Sequence, residues 1–217
     1  MILYYYFCSL SGIIPGIISL KYWKRMMDSK FNKWYLSFIL YRFLEPIITI
    51  ILEEYLGSSY PAFHLTVVLD GLFYIALARS LSSIPTRYLQ LMQVGIVGIA
   101  AMEIWMTQSL FINNWYATIF TYLIVIIIYF SLFFKSEAPL IYSQKVFVIA
   151  VFSYYTALYC YFIFENMIRS NLNLFVYLQP MVLTLTFIFN LTITYTIFKL
   201  LYPNNRINKT QRHATLC

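Results

Sequence analysis

Charge is what this chain has least of. Asp and Glu together number 8 in 217 residues, and all charged residues make up 11%, whereas soluble domains carry about 25%. That scarcity excludes an ordinary soluble domain. Histidine is scarcer still. The two His are His64 and His213, and the second lies in the C-terminal tail, so no multi-His metal site is expected. Three Cys (Cys8, Cys160 and Cys217) form no CxxC or Cys/His spacing, which leaves neither a metal nor a disulfide framework. No Gly-rich phosphate loop and no Ser/His/Asp arrangement is present, and the last apolar run has no mid-span Lys to anchor a chromophore. No catalytic residue and no cofactor is assigned. The first apolar run, Ile2–Leu20, lacks the basic n-region and small-residue cleavage site of a signal peptide, so it reads as a retained helix.

What fills the chain is hydrophobic sequence, 61% of it, with a mean hydropathy of +0.72. The apolar runs fall at Ile2–Leu20, Trp34–Leu52, Ala62–Leu81, Tyr88–Leu110, Trp115–Phe134, Ser143–Glu165 and Phe175–Leu201. Each has the roughly 20 residues that a membrane-spanning helix needs. The spacing predicts an all-α, polytopic integral membrane bundle of seven transmembrane helices over residues 1–202. A short basic cytoplasmic tail follows over 203–217. Short connections force sequence neighbours to pack antiparallel.

The 15 Lys and Arg are distributed unevenly. All but Arg42 and Arg169 fall in alternate gaps: Lys21–Lys33, Arg79–Arg87, Lys135–Lys145 and the tail from Lys199. Cytoplasmic loops are enriched in Lys and Arg, so the N-terminus is expected outside and the C-terminus in the cytoplasm. The net charge of +7 then faces the anionic cytoplasmic leaflet and gives no reason to expect nucleic acid as a partner. The lipid bilayer is the one partner composition demands.

Against this background the ionisable residues inside apolar runs stand out: Arg42, Glu45, Asp70 and Glu103, with His64 nearer an edge. A charge at mid-membrane costs roughly 2.5–3.5 kcal/mol on the mildest scale, so such residues face the bundle interior and pair. Arg42 and Glu45 are three apart and share a helical face. Helix rise places Arg42, Glu45 and Asp70 near the midplane and Glu103 in the outer half. One Arg facing three carboxyls leaves net negative charge in low dielectric unless protons neutralise it. Pro46 cannot donate to the Arg42 carbonyl, which predicts a kink beside the Arg and Glu. Transporters build midplane sites from such broken helices. A purely structural Arg42–Glu45–Asp70 network accounts for the same residues.

Other polar positions join the candidate ligand or proton site. Asn190 lies near the midplane of the seventh span, and Tyr155 and Tyr159 belong to a Tyr-rich stretch deep in the sixth, where a phenol needs a hydrogen-bond partner. Glu53, Glu54, His64 and Glu165 form an expected outer mouth able to attract cations or sense pH; ordinary solvated helix ends explain these four equally. Gly12 and Gly16, four apart, predict close helix approach in the first span, and Pro15 between them predicts a kink.

Glu53-Glu54-Tyr55-Leu56-Gly57, Pro61-Ala62-Phe63-His64 and Phe162-Ile163-Phe164-Glu165 give nearly the whole chain a layout that resembles a family of small seven-span bacterial membrane proteins. That family has no established activity. Its members occur near sensor kinases, which implies signalling by association and placement in the bacterial inner membrane. Size and topology are also similar to the sugar-transporting SWEET proteins, though those carry prolines in both three-helix halves. Here Pro15 and Pro46 lie in the first half and the fifth and sixth spans have none.

Two functions are open. One is a membrane sensor or assembly subunit that binds a ligand or lipid and works through a membrane or cytoplasmic signalling partner. The other is a small-solute or proton-coupled transporter using the Arg42–Glu45–Asp70 region. Two superimposable three-helix halves would favour transport, and a single bundle with an outward pocket would favour sensing. Self-association into a homo-oligomer is open in both.

Overall fold

A computed structural model describes residues 11–27, 29–58, 60–82, 84–108, 115–135, 140–164 and 172–202. Among these are eight helices and no strand: α1 (Ile13–Lys21), α2 (Trp23–Met26), α3 (Lys30–Leu56), α4 (Tyr60–Leu81), α5 (Thr86–Thr107), α6 (Trp115–Lys135), α7 (Tyr142–Ile163) and α8 (Leu172–Leu201). The six from α3 to α8 are long and apolar enough to cross a membrane, so the chain is a multi-pass membrane protein. The first half of the expected first span, Ile2–Leu20, lies outside the described residues, and the second half is described, mostly as α1. Glu165 and the tail 203–217 also lie outside them.

Helix ends follow local chemistry. Ser29 Oγ accepts the Asn32 N–H at 3.1 Å and starts α3, as an N-cap serine does. Gly57, at φ 67, stops it, because glycine enters the left-handed region without steric cost. This pair stretches α3 at both ends beyond the apolar run Trp34–Leu52. The helix continues unbroken across Pro46. Pro15 stands in the first turn of the described α1, where a proline displaces no helical hydrogen bond.

Six helices close into a ring, in the order α1, α3, α4, α6, α7, α8 and back to α1. Helix α5 lies outside the ring against α4 and α6. Two glycines allow the closest approaches. A Cβ on Gly16 would meet the Phe43 side chain at 2.7 Å, and one on Gly71 would meet Ile96 and Thr121 at 2.7 and 2.8 Å. Gly16 therefore brings α1 onto α3, as the small-residue spacing predicts, and Gly71 admits both α5 and α6 to α4. Large apolar side chains such as Leu44, Ile47, Val94, Trp105, Ile127 and Met181 remain exposed on the outside of the bundle, which suits hydrocarbon as the solvent.

The half of the ring nearer the basic gaps is filled. Phe31, Tyr35 and Phe38 of α3, Tyr74 of α4, Tyr129 of α6 and Phe147 of α7 are all buried there. Their rings touch in sequence: Phe31 to Tyr35 at 5.4 Å, Tyr35 to Phe147 at 5.0 Å, Phe147 to Tyr129 at 6.1 Å, and Tyr129 to Tyr74 at 5.8 Å between centroids. Mostly edge-to-face, these are the favoured arrangements of aromatic quadrupoles. The buried hydroxyls are satisfied: Tyr35 donates to the Ile193 carbonyl and Tyr129 to the Tyr74 carbonyl, each at 3.2 Å.

Candidate functional site

The other half of the ring is hollow. A cavity of about 780 Å³ opens there, with wall residues from α3, α4, α6, α7 and α8 and Gly12 just before α1. Its longest wall is a stripe on α3: Arg42, Glu45, Pro46, Thr49, Ile50, Glu53 and Glu54. The spacing alternates three and one, so the residues share one face of the helix, and at 1.5 Å per residue the stripe runs about 18 Å. That is more than half of a hydrocarbon core roughly 30 Å thick.

At the deep end lies the ionic group. Arg42 Nη1 is 2.6 Å from Glu45 Oε2 and 3.8 Å from Asp70 Oδ2. Asp70 Oδ2 also accepts the Tyr155 hydroxyl hydrogen at 2.8 Å. One guanidinium is thus shared by two carboxyls, and a phenol from α7 supports the second. Such sharing keeps a charge tolerable in low dielectric, because each group left without its partner would carry the full desolvation cost. Tyr155 is held by ring contacts with Tyr74 at 4.9 Å, Tyr122 at 5.0 Å and Tyr154 at 5.3 Å. The Tyr154 hydroxyl pairs with Thr186 Oγ1 at 3.2 Å and its ring stacks on Phe189 at 4.3 Å. On α8, Asn190 donates from Nδ2 to Ser11 Oγ at 2.8 Å, tying α8 to the start of α1.

Two buried acceptor atoms of wall residues, each with under 1 Å² of accessible surface, have no hydrogen-bond partner: Asp70 Oδ1 and Asn190 Oδ1. The two residues are 5% and 3% exposed. Higher on the wall, Phe63, Tyr122 and Phe162 supply aromatic faces, with Phe63 and Phe162 stacked at 6.1 Å. The exposed Glu53 and Glu54 close the stripe at the end away from Arg42.

Of the residues singled out in the sequence, Arg42, Glu45, Asp70, Asn190, Tyr155, Glu53 and Glu54 meet on this one surface. Glu103, Tyr159 and His64 are not on it. Glu103 accepts the Tyr116 and Ala117 N–H groups at 3.0 and 2.8 Å. It thereby caps α6 from the neighbouring helix, where the free N–H groups of a helix start favour a carboxylate. His64 is buried in the first turns of α4. Tyr159 is partly buried and packs against the hydrophobic core. The cavity face of α7 runs through Tyr154, Tyr155, Leu158 and Phe162, and Tyr159 lies beyond the edge of that arc. Tyr122, Thr66 and Thr186 are wall residues the sequence did not single out, whereas Tyr154 belongs to the same Tyr-rich stretch as Tyr155. Tyr154 and Thr186 stand at helical spacing from Leu158 and Asn190, a signal usable only once the inward faces are known.

No family model matches the chain, and neither a curated protein nor a solved structure does.

Proposed function

We propose that this chain is a sensor or assembly subunit of the bacterial inner membrane. It binds a ligand or lipid in the ring cavity and works through a membrane or cytoplasmic partner. The reading includes seven spans, with Ile2–Leu20 completing the first, the N-terminus outside and the C-terminus in the cytoplasm, as the Lys and Arg distribution requires. In that orientation the Glu53 and Glu54 end of the cavity faces outward.

The observation that carries this reading is the blind form of the cavity. Its floor is Arg42, Glu45 and Asp70, and beneath the floor the ring is filled by Tyr35, Phe38, Tyr74, Tyr129 and Phe147. A cavity over a packed base suits a binding site better than a path. The eight helices of the described residues are joined by short connections, and the reading places the output on a second protein. Transport is the second reading, favoured by Pro46 in the wall beside the Arg–Glu pair; it requires the aromatic base to part.

In-cell crosslinking followed by mild extraction and mass spectrometry tests the choice. A stoichiometric partner with a soluble domain supports the sensor reading. Recovery alone or as a self-oligomer overturns it and leaves transport, to be tested by solute and proton flux with Arg42, Glu45 and Asp70 variants.

A further inference from the structure

Resting on the reading of the cavity as a ligand site, we infer that its ligand is an organic ammonium ion: an amine that keeps at least one N–H and carries an aromatic or aliphatic body.

Charge argues first. The wall holds one cation, Arg42, and four carboxyls, Glu45, Glu53, Glu54 and Asp70. Arg42 is already committed to Glu45 at 2.6 Å and lies 3.8 Å from Asp70. An incoming anion finds no free counter-charge and meets an acidic rim. A cation is drawn inward along the α3 stripe, and low dielectric walls strengthen that attraction with depth.

Hydrogen bonding argues second, and independently. Asp70 Oδ1 and Asn190 Oδ1 are buried acceptors without a partner, both on residues of the cavity wall. A buried polar atom left unpaired is costly, and both atoms call for a donor. Asn190 has already given its Nδ2 to Ser11, so at this residue too the atom left over is an acceptor. An ammonium N–H serves such atoms once their side chains turn toward the cavity. A carboxylate or phosphate, which accepts only, does not.

The walls argue third. Tyr122, Tyr154, Tyr155, Phe63 and Phe162 surround the space above Asp70. Aromatic faces attract cations and accommodate apolar bodies at the same time. About 780 Å³ is ample for a molecule of drug-like size.

The test uses the full chain in nanodiscs and calorimetric titration with four probes of one shape: phenethylamine, its trimethylammonium analogue, 2-phenylethanol and 3-phenylpropionate. Spermidine is titrated as an amine without a ring. Phenethylamine or spermidine is expected to bind. The trimethylammonium compound, which lacks an N–H, is expected to bind about tenfold more weakly than phenethylamine, with the alcohol and the acid weaker still. Asp70→Asn is expected to weaken amine binding about ten- to hundredfold, and Asn190→Ala less. The probe series is read on the unaltered chain, so it decides even if Asp70→Asn does not fold.

Failure of both amines to bind overturns the inference. So does a folded Asp70→Asn protein that binds amine unchanged. Tighter binding of the alcohol or the acid, lost on substituting cavity residues, also overturns the ammonium assignment, but leaves a ligand-binding cavity in place. The partner search judges the sensor reading separately.

Discussion

Tyr155 donates its hydroxyl hydrogen to Asp70 Oδ2 across 2.8 Å, from α7 to α4. The two residues are 85 positions apart, and the bond crosses the ring at the floor of the cavity. Tyr155 also touches Tyr74, the first ring of the packed base. It therefore belongs both to the hollow half of the bundle and to the filled half.

Tyr155→Phe keeps those ring contacts and removes only the bond. A hydrogen bond to a charged group contributes about 1.5–3 kcal/mol. The variant is expected to be less stable in detergent by about that energy, seen as a lower melting temperature. An unchanged melting curve would mean that the bond contributes nothing to holding α7 on α4.

Arg42→Leu leaves Glu45 and Asp70 facing each other without a cation. Losing one partner of a buried ionic group costs about 3–5 kcal/mol, so the variant is expected to express poorly or melt far below the parent. Replacing all three together, as Arg42→Leu, Glu45→Leu and Asp70→Leu, is expected to recover stability while abolishing ligand binding. The comparison separates a network kept for stability from one kept for function. Recovery of both properties would assign the network no binding role.

Glu103→Ala removes a cap. The first N–H groups of α6 lose their acceptors, and a lost cap costs about 1 kcal/mol. Thermal melts are expected to show that loss, with amine affinity in the cavity unaltered. A large change in affinity would place Glu103 in the site after all.

Gly16→Ala drives a methyl group into Phe43, with 2.7 Å available. Overpacking of this kind costs about 1–3 kcal/mol. Phe43 Cβ is itself one of the atoms at 2.7 Å, so shortening Phe43 to Ala is not expected to relieve the contact, and Gly16→Val is expected to lose more than Gly16→Ala in thermal melts. Unchanged melts in both variants would show that α1 does not depend on this approach.

Topology is testable by labelling in intact cells with a membrane-impermeant maleimide, in a background without the native cysteines. Tyr55, 84% exposed beyond the acidic end of α3, and Tyr88, 61% exposed beside Arg87, lie at opposite ends of the bundle. Tyr55→Cys is expected to react and Tyr88→Cys to react only after permeabilisation. The reverse pattern would invert the proposed orientation.

Hydropathy located the six long helices closely, because the energetic demand for continuous apolar length is strong. It said much less about which face of each helix turns inward. In water a helix announces its buried side by being apolar there. In hydrocarbon both sides are apolar, so only polar residues mark the interior. Helix α3 carries enough of them, from Arg42 to Glu54, to make its inward stripe readable. Helices α6 and α8 carry Tyr122 and Thr186 among many similar residues, and nothing local selects them. Glu103 illustrates a different loss. Helix rise gives its depth, but depth says nothing of azimuth, and its partners are N–H groups of the following helix rather than side chains. Caps of this kind are invisible until the next helix is placed.

Helix α5 contributes nothing to the cavity wall, yet it governs the parity of the chain. Val67 packs with Ala117, Gly71 approaches Thr121, and Tyr74 receives the Tyr129 hydrogen bond. Helices α4 and α6 therefore lie side by side and run the same way, which two consecutive spans cannot do. Helix α5 is the return stroke between them. Without it α6, α7 and α8 would each be turned upside down, and Tyr155 and Asn190 would be carried away from Asp70.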